Sequence, residues 1–253
     1  MFKELYHYRE LLKTNVKKDI RGKYKGSFLG VLWSFVNPLL QTFIYAIIFS
    51  FLLKNNIPHY TTYVVIAVLP WTWFTTTMSS TNSILMNGGI IKKVYFPREI
   101  IPISAVTSGM VNYLISCLII FIFLLVTGIG FSLNILFLPL IMIVQYVLQL
   151  GLLLISSAID VYVRDLEYII NFFVQMLFYA TPILFSIDMF GKHKWVLQLN
   201  PLTTIINSYR DIFYYQQMPN FVNLGIVFGV SILILIIGVL IFKKLEKGFA
   251  EEV

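Results

Sequence analysis

Charged residues are absent from long stretches of this chain, and the gaps between them are apolar. After Lys25 the next charged residue is Lys54. Six segments contain no Asp, Glu, Lys, Arg or His, and each is long enough to cross a bilayer: residues 31–53, 63–86, 101–127, 135–159, 169–187 and 221–242. The pattern predicts an all-α integral membrane protein with six transmembrane helices.

The stretch before the first apolar segment has a different period. Apolar residues recur there every three or four positions, as on one face of a helix: Phe2, Leu5, Tyr8, Leu12, Val16 and Ile20. Basic residues occupy the other faces and would be attracted to anionic lipid. This pattern therefore predicts that residues 1–30 contain an interfacial amphipathic helix on the cytoplasmic leaflet.

Basic residues determine the expected orientation. Fifteen of the nineteen fall before residue 31, in residues 87–100 and 160–168, or after residue 242. The other four, Lys54, Lys192, Lys194 and Arg210, fall in the segments assigned to the outside. Since cytoplasmic loops are enriched in Lys and Arg, we expect a multi-pass inner or plasma membrane protein with both termini in the cytoplasm. The whole chain, 1–253, reads as one domain, with a six-span core over 31–242 and a tail over 243–253.

Composition supports a membrane protein and excludes other classes. The chain is 58% hydrophobic and 12% charged, against about 25% charged in soluble domains. The net charge of +7 is concentrated at the ends of the predicted spans, so it does not indicate a nucleic-acid partner. Intramembrane charges, which coupled transporters usually carry, are absent from the six segments. Neither an acid–base pair nor metal-ligand spacing is visible, and we expect no enzyme activity and no metal site.

The second apolar segment carries a dense run of hydroxyl and amide residues after its aromatic residues. Two interpretations stay open: these groups bond helices together, or they line a hydrated path. For the second we single out neutral polar and aromatic residues of the second and fifth segments as candidate channel lining: Trp73, Phe74, Thr77, Phe178 and Tyr179.

Two short cytoplasmic loops are candidate contacts for a partner. Residues 160–168 mix charged and apolar residues, as a short docking helix does: Asp160, Val161, Tyr162, Val163, Arg164, Asp165, Leu166 and Glu167. The loop 87–100 offers a second charged contact: Lys92, Lys93, Arg98 and Glu99. The alternative for both loops is a solvated connection.

The external stretch 188–220 is not an ordinary loop. Asn200 followed by Pro201 is a favourable helix start, and apolar residues then recur on one face up to Phe213. A helix over 201–216 is too short to span and carries Arg210. We expect a short re-entrant or interfacial helix on the outer side, with Asn200, Pro201, Tyr209 and Arg210 as candidate gate residues.

Taken in order, several blocks of this sequence resemble the membrane subunit of polysaccharide-exporting ABC transporters, the Wzm and TagG family of O-antigen, capsule and teichoic acid exporters. The resemblance covers essentially the whole chain. It rests on RGKYKGSFLGVLWSFVNPL, LPWTWF, NGGIIKKVYFPREIIPIS, VRDLEYI, FYATPILFS, NPLTTIINSYRDIFY and FKKLEKGFAE.

The resemblance implies a homodimer with the path between its subunits and two cytoplasmic ATPase chains. Residues 160–168 would then be the coupling helix, the N-terminal helix would lie beside it, and residues 188–217 would form the outer gate. This chain has no G-x-x-x-x-G-K-[ST], so ATP and Mg²⁺ are expected on the partner and no cofactor here.

The resemblance also implies a substrate: undecaprenyl-pyrophosphate-linked polysaccharide of O-antigen type, moved across the membrane that holds the chain. Wall teichoic acid or capsule export is the alternative within the family. A drug or small-molecule exporter of related architecture, and a membrane glycan-processing enzyme, are the alternatives outside it. The enzyme alternative is disfavoured because Asp188 and Asp211 are the only external carboxylates.

Overall fold

The computed structural model describes residues 8–22, 32–53 and 57–253. Within these ranges all regular structure is helical, which confirms the predicted all-α class for this part of the chain. Lys23 and Lys25 of the basic segment, Phe2 and Leu5 of the N-terminal stripe, and Lys54 lie outside the described residues.

The α-helices follow one another with short connections. They are α1 (Arg9–Gly22), α2 (Trp33–Leu53), α3 (Tyr60–Met78), α4 (Ser83–Met86), α5 (Gly88–Ile91), α6 (Ile100–Val126), α7 (Leu138–Asp160), α8 (Leu166–Tyr179), α9 (Lys194–Gln198), α10 (Pro201–Phe213), α11 (Phe221–Leu245) and α12 (Phe249–Glu252). Turns of 3₁₀ helix lie at Leu133–Phe137, Ile187–His193 and Glu246–Gly248.

Three helical stretches among the described residues are long and apolar enough to cross a membrane: Ile100–Val126, Leu133–Asp160 and Phe221–Gly248. They correspond to the third, fourth and sixth predicted segments. The N-terminal helix α1 lies against α6, and its Leu12, Val16 and Ile20 share a cavity with Thr107 of that helix. The apolar stripe of α1 therefore faces protein as well as the region expected to hold lipid.

Helix α3 is the most enclosed element. All residues from 62 to 71 are buried, and α2, α6, α7, α8 and α10 surround it. A helix that is apolar on all sides is typical of such a central position. Because of this central position, candidate functional residues on the other helices contact α3.

The second predicted segment, 63–86, is wrong as a single helix because α3 ends at Met78. Ser79–Asn82 form a turn, and α4 begins only at Ser83. Side-chain hydroxyls compete there with the helical hydrogen bonds: Ser80 donates to the carbonyl of Thr76 and Thr81 to that of Met78.

The fifth predicted segment, 169–187, is also broken. Helix α8 ends at Tyr179 and has 14 residues. Pro182 lacks a backbone N–H and disfavours helical geometry in Thr181, which favours a break at this point. Thr181 instead donates its hydroxyl to the carbonyl of Leu177, at 2.6 Å. The chain continues through 181–186 as turns and bends, and the carbonyls of residues 182–185 need donors other than those of a continuing helix.

Helices α7 and α11 form the closest helix pair. A Cβ added to Gly151 would lie 2.7 Å from the backbone nitrogen of Leu235, and one added to Gly238 would lie 2.6 Å from the Gly151 carbonyl oxygen. Small residues at such a crossing allow the backbones to approach and to pack closely in a membrane.

We expect Gly151→Ala to destabilise the protein by about 1–3 kcal/mol, because the new methyl group meets backbone that cannot move aside. The thermal unfolding midpoint in detergent measures the effect. Gly229→Ala on α11 is the matched control, since nothing lies within 4 Å of its added Cβ. Equal midpoints for the two variants would contradict the close crossing.

Candidate functional site

Two predicted lining residues, Trp73 and Thr77, lie on α3 and are buried within the chain. The Trp73 indole N–H donates to the carbonyl of Val106 on α6 at 3.2 Å, and its ring stacks on Tyr113 at 5.6 Å between centroids. The Thr77 hydroxyl donates to Gln149 on α7 at 2.9 Å. In one subunit these side chains hold α3 against its neighbours, and their place along a path stays a prediction.

The other lining candidates meet around Trp71. Its ring lies 5.3 Å from that of Phe74 and 5.7 Å from that of Phe178 on α8. Phe178 also contacts Tyr45 of α2, at 5.4 Å. Tyr179 follows on α8 and is 74% exposed. The structure thus brings the second and fifth segments together, and of the five predicted residues Tyr179 alone is exposed.

Tyr179 belongs to an exposed stripe along α8 that the sequence analysis did not identify. Tyr168, Phe172, Gln175 and Tyr179 are all exposed, and their spacing of four, three and four residues places them on one helix face. We call these four residues the α8 stripe. That spacing was visible in the sequence, but so many apolar residues surround it that the exposed face could not be distinguished.

The exposed face of α11 has a different chemistry. Its most exposed side chains are mainly aliphatic, among them Val222, Leu233 and Leu240. Its mid-helix polar residue, Ser231, is fully buried and donates to the carbonyl of Val227. The exposed polar residues of α11, Asn223, Lys243 and Lys244, lie near its two ends, and an aliphatic middle stretch of this kind suits lipid. The α8 stripe, with two tyrosines and an exposed amide, is the less suited of the two faces to hydrocarbon.

The hydroxyl run of the second segment bonds mostly to backbone. Thr72, Thr75 and Thr76 donate to carbonyls three or four residues earlier, as do Ser80 and Thr81. Thr81 is also 3.2 Å from the hydroxyl of Ser156 on α7. Of these hydroxyls, those of Thr77 and Thr81 reach another helix, while most of the run bonds to its own backbone, so both interpretations stay open.

A polar groove nonetheless lies between α1, α3 and α6. Two adjacent cavities of about 320 Å³ each share Thr76, Gly109 and Asn112. Lys18 and Asp19 of α1 lie at one end. The buried Asn112 side-chain oxygen has no hydrogen-bond partner. Further hydroxyl and amide groups line the groove: Asn15, Ser80, Ser83, Asn87, Ser104 and Ser108. The groove offers neutral hydrogen-bonding groups to a polar ligand.

The predicted coupling residues form the connection between α7 and α8. Helix α7 ends at Asp160 and α8 begins at Leu166, so the segment is a turn joined to α8 and not a separate helix. The Asp160 carboxylate accepts a hydrogen bond from the backbone N–H of Glu167 at 3.1 Å. Glu167 in turn accepts from Asn82 at 3.0 Å. These bonds connect the α7–α8 turn to the Ser79–Asn82 turn that lies between α3 and α4.

The tip of this turn is exposed. Val161 is buried, whereas Tyr162, Val163, Arg164 and Asp165 are exposed. Leu166 is half-buried at the start of α8. Two apolar residues beside two opposite charges at an exposed tip form a surface that a protein partner can bind.

The second candidate contact divides into two parts. Lys92 and Lys93 are exposed, whereas Glu99 is buried. Arg98 is half-buried and donates a hydrogen bond to the backbone carbonyl of Glu246. The lysine pair is therefore accessible to a partner, while Arg98 holds the C-terminal segment.

The predicted external helix begins where the sequence indicated. Asn200 is the N-cap of α10, and its side chain accepts from the N–H of Leu202 at 3.0 Å. Pro201 occupies the first turn. The Asn200 amide also donates to the Thr181 hydroxyl at 2.9 Å, which fastens α10 to the chain beyond α8.

Tyr209, predicted as a gate residue, lies in the core. It is fully buried and donates its hydroxyl to Gln145 on α7 at 2.9 Å. Gln145 donates in turn to the carbonyl of Pro70 on α3, at 2.9 Å. Helix α10 is thereby joined to both α7 and α3.

Arg210, assigned from the sequence to the external side, is also buried, with 1% of its surface exposed. Its guanidinium donates to the carbonyls of Pro182 and Ile183, at 2.5 and 2.6 Å. The guanidinium carbon lies 3.6 Å from the centroid of the Tyr63 ring. The fork geometry of arginine suits two neighbouring carbonyls, which lysine could not satisfy in the same way.

Two tyrosines of α3 complete this arrangement. Tyr60 donates to the carbonyl of Leu184 at 2.6 Å and Tyr63 to that of Phe185 at 3.1 Å. Four consecutive carbonyls beyond the end of α8 thus receive donors from Arg210, Tyr60 and Tyr63. We call these three residues the carbonyl clamp. Its chemistry explains how a broken helix can be accommodated in an apolar interior.

A polar cavity of about 380 Å³ lies beside the carbonyl clamp, lined by Asn207, Asp211 and Tyr215 among others. Gln217 donates to the Asp211 carboxylate at 2.7 Å. Burial raises the pKa of this carboxyl, outside the membrane-spanning helices, while the bond from Gln217 acts in the opposite direction. Within the described residues no group of three or more His, Cys, Asp or Glu could hold a metal ion.

The sequence of the chain is similar to those of known proteins. Residues 10–214 match the family described as ABC-2 type transporter. An O-antigen export system permease protein RfbA of Klebsiella pneumoniae is 38% identical over 96% of this chain and 94% of its own length. The RfbA protein of Myxococcus xanthus is 30% identical over 100% of this chain and 99% of its own. The chain therefore belongs to the membrane subunits of the ABC-2 type transporter family.

Proposed function

We propose that this chain is the membrane subunit of an ABC transporter that exports lipid-linked polysaccharide of O-antigen type across the inner or plasma membrane. The names of the relatives support the substrate class. The sequence has no phosphate-binding G-x-x-x-x-G-K-[ST] loop, so a separate cytoplasmic ATPase supplies the energy and holds ATP and Mg²⁺.

The proposed architecture has six spans, both termini in the cytoplasm, and two copies of the chain around one path. The observation that carries this proposal is the α8 stripe. It presents exposed aromatic rings and the Gln175 amide on one face, whereas α11 presents mainly aliphatic groups. We assign α11 to lipid and the α8 stripe to the path, where a second copy would supply the opposite wall.

A wall of neutral aromatic and amide groups suits a repeating sugar chain. Ring faces pack against the apolar faces of sugars, and amides exchange hydrogen bonds with hydroxyls. Each contact contributes only about 1 kcal/mol, as aromatic contacts do. Weak contacts without fixed register allow a polymer to slide. The polar groove beside α1 offers similar chemistry at the cytoplasmic side, where a sugar-bearing lipid headgroup would arrive.

The proposal is tested by deleting the gene and measuring surface polysaccharide by gel and by antiserum. We expect polymer to accumulate inside the cell and to reach the surface again when the gene is restored. The identity of the accumulated glycan, O-antigen, capsule or teichoic acid, decides between the substrates. Unchanged surface glycan, or ATP hydrolysis by the purified chain without a partner, would contradict the assignment.

Cysteine labelling tests the path. Tyr179→Cys should react with a membrane-impermeant thiol reagent about ten-fold faster or more than Leu233→Cys, because thiolate forms in water and not in hydrocarbon. Both positions are exposed in the single subunit, so the chain itself shields neither of them. The native Cys117 is buried and serves as an internal control. Equal reaction at Tyr179→Cys and Leu233→Cys would place α8 against lipid.

A further inference from the structure

The C-terminal segment, predicted from the sequence as a cytoplasmic tail over 243–253, packs into the protein over residues 245–253. Phe249 is fully buried. It belongs to a hydrophobic cluster separate from the main core, together with Ile84, Phe96 and Val161. Phe96 and Val161 come from the two loops predicted to contact a partner, 87–100 and 160–168, and Ile84 lies just before the first of them. The C-terminal segment, which we call the strap, therefore shares one cluster with both.

The strap binds the first loop region at three points. Arg98 donates to the backbone carbonyl of Glu246, and its guanidinium lies 5.9 Å from the centre of the Phe249 ring. At the end of the strap Val253 packs on Gly88, where an added Cβ would lie 1.9 Å from the valine Cγ1 atom. A larger residue at position 88 would displace the end of the strap.

The strap binds the α7–α8 turn as well. The Tyr162 hydroxyl donates to the carbonyl of Leu245 at 2.8 Å. The same hydroxyl lies over Gly248, where an added Cβ would approach it to 2.4 Å. The rings of Tyr162 and Phe249 are 6.3 Å apart. The tyrosine is thus held by the backbone and by one side chain of the strap.

In both the first loop and the α7–α8 turn, the residues at the tip are exposed while neighbouring residues are buried against the strap's cluster. In the first loop Tyr95 is 92% exposed and the next residue, Phe96, is buried. In the turn Val163 is exposed and Val161 is buried. The buried neighbours face the cluster that contains Phe249. The strap therefore fixes the spacing between two exposed tips that lie 70 residues apart in the chain, from Tyr95 to Asp165.

We propose that the strap joins the first loop and the α7–α8 turn into one rigid docking platform for the cytoplasmic ATPase. This inference rests on the proposed function, which supplies that partner. Phe249 is a positioning residue: it is buried, so it acts through the two tips and not by touching the ATPase. Without it the tips would move independently, and a partner that must bind both would lose affinity.

The first test measures ATPase capture by the full chain in membranes. With Phe249→Ala we expect co-purified ATPase and export each to fall by about ten-fold or more, because two contact points that are no longer held together bind one partner more weakly. Phe249→Leu should restore most of both, and Glu252→Ala, at an exposed position of the same helix, should change neither. Equal membrane levels of the variants show that insertion is intact. Normal ATPase capture by Phe249→Ala would overturn the proposal.

A crosslink tests rigidity while leaving Phe249 and its cluster unchanged. A Cβ at Gly88 lies 3.4 Å from the Cβ of Val253, close to the roughly 3.8 Å of disulfides. The Gly88→Cys, Val253→Cys double variant should therefore oxidise readily and keep exporting, because a rigid platform does not need the strap to leave. Loss of export on oxidation, restored by reductant, would overturn the proposal. Absence of export by the unaltered chain would instead contradict the proposed function.

Discussion

Replacing Arg210 with methionine is expected to abolish export and to destabilise the protein severely. The substitution keeps the length of the side chain but removes both donors to the carbonyls of Pro182 and Ile183. Each buried carbonyl left without a donor costs about 1–3 kcal/mol, so the total is about 2–6 kcal/mol before the contact with Tyr63 is counted. A loss of that size approaches the whole stability of many domains. Thermal unfolding in detergent and surface polysaccharide are the two measurements.

Two variants separate the geometry of Arg210 from its charge. Arg210→Lys keeps the charge but replaces the planar fork by a single ammonium group, and we expect an intermediate loss. Lys194→Met removes an exposed cation and should have little effect. The carbonyl clamp is disproved if Arg210→Met matches the unaltered chain in both stability and export.

Reversing both charges at the tip of the α7–α8 turn should stop export while leaving the fold intact. Arg164 and Asp165 are exposed, so Arg164→Glu with Asp165→Arg removes no internal packing and keeps the net charge. Like charges brought together across an interface cost several kcal/mol, so export should fall by about ten-fold or more. ATPase turnover in the assembled transporter, measured beside export, shows whether the partner is lost or merely uncoupled.

The control for this double reversal lies on the other side of the predicted membrane. Lys192 and Lys194 are exposed too, and reversing them agrees with the positive-inside rule and leaves the cytoplasmic tip unchanged. Export should stay near its original level. If the Arg164 and Asp165 variant exports normally, the turn is a solvated connection and the coupling surface lies elsewhere.

Local features of the sequence predicted where helices lie better than they predicted where helices are broken. Apolar length and the lack of charge indicated the spans over 101–127, 135–159 and 221–242, and Asn200 with Pro201 indicated the start of α10. The same signals wrongly predicted that residues 63–86 and 169–187 each form one continuous helix. Apolarity does not distinguish a helix from a bent segment when other side chains satisfy its carbonyls. The proline at position 182 was the available evidence for the break.

Arg210 shows why site residues were harder to assign than elements. It follows Ile206 by four residues and precedes Phe213 by three, which places it on the apolar face of its helix. That spacing was a sign of burial, but the acceptors are backbone carbonyls, which every residue has. No side-chain pattern can reveal which carbonyls lack donors. The carbonyls that Arg210 binds therefore follow from where α8 ends, which only the structure shows.

The sequence by itself determined the all-helical class, three membrane-spanning stretches, the family resemblance and the need for an ATPase on another chain. Each of these depends on composition, on the spacing of apolar residues or on a contiguous motif, and all three are present in the linear sequence. Only the tertiary structure decided that Trp73 and Thr77 are packed inside, that α8 exposes aromatic and amide groups, and that Phe249 packs in one cluster with Phe96 and Val161. Those outcomes depend on which helix faces cover one another, and that is a property of packing between residues far apart in the chain.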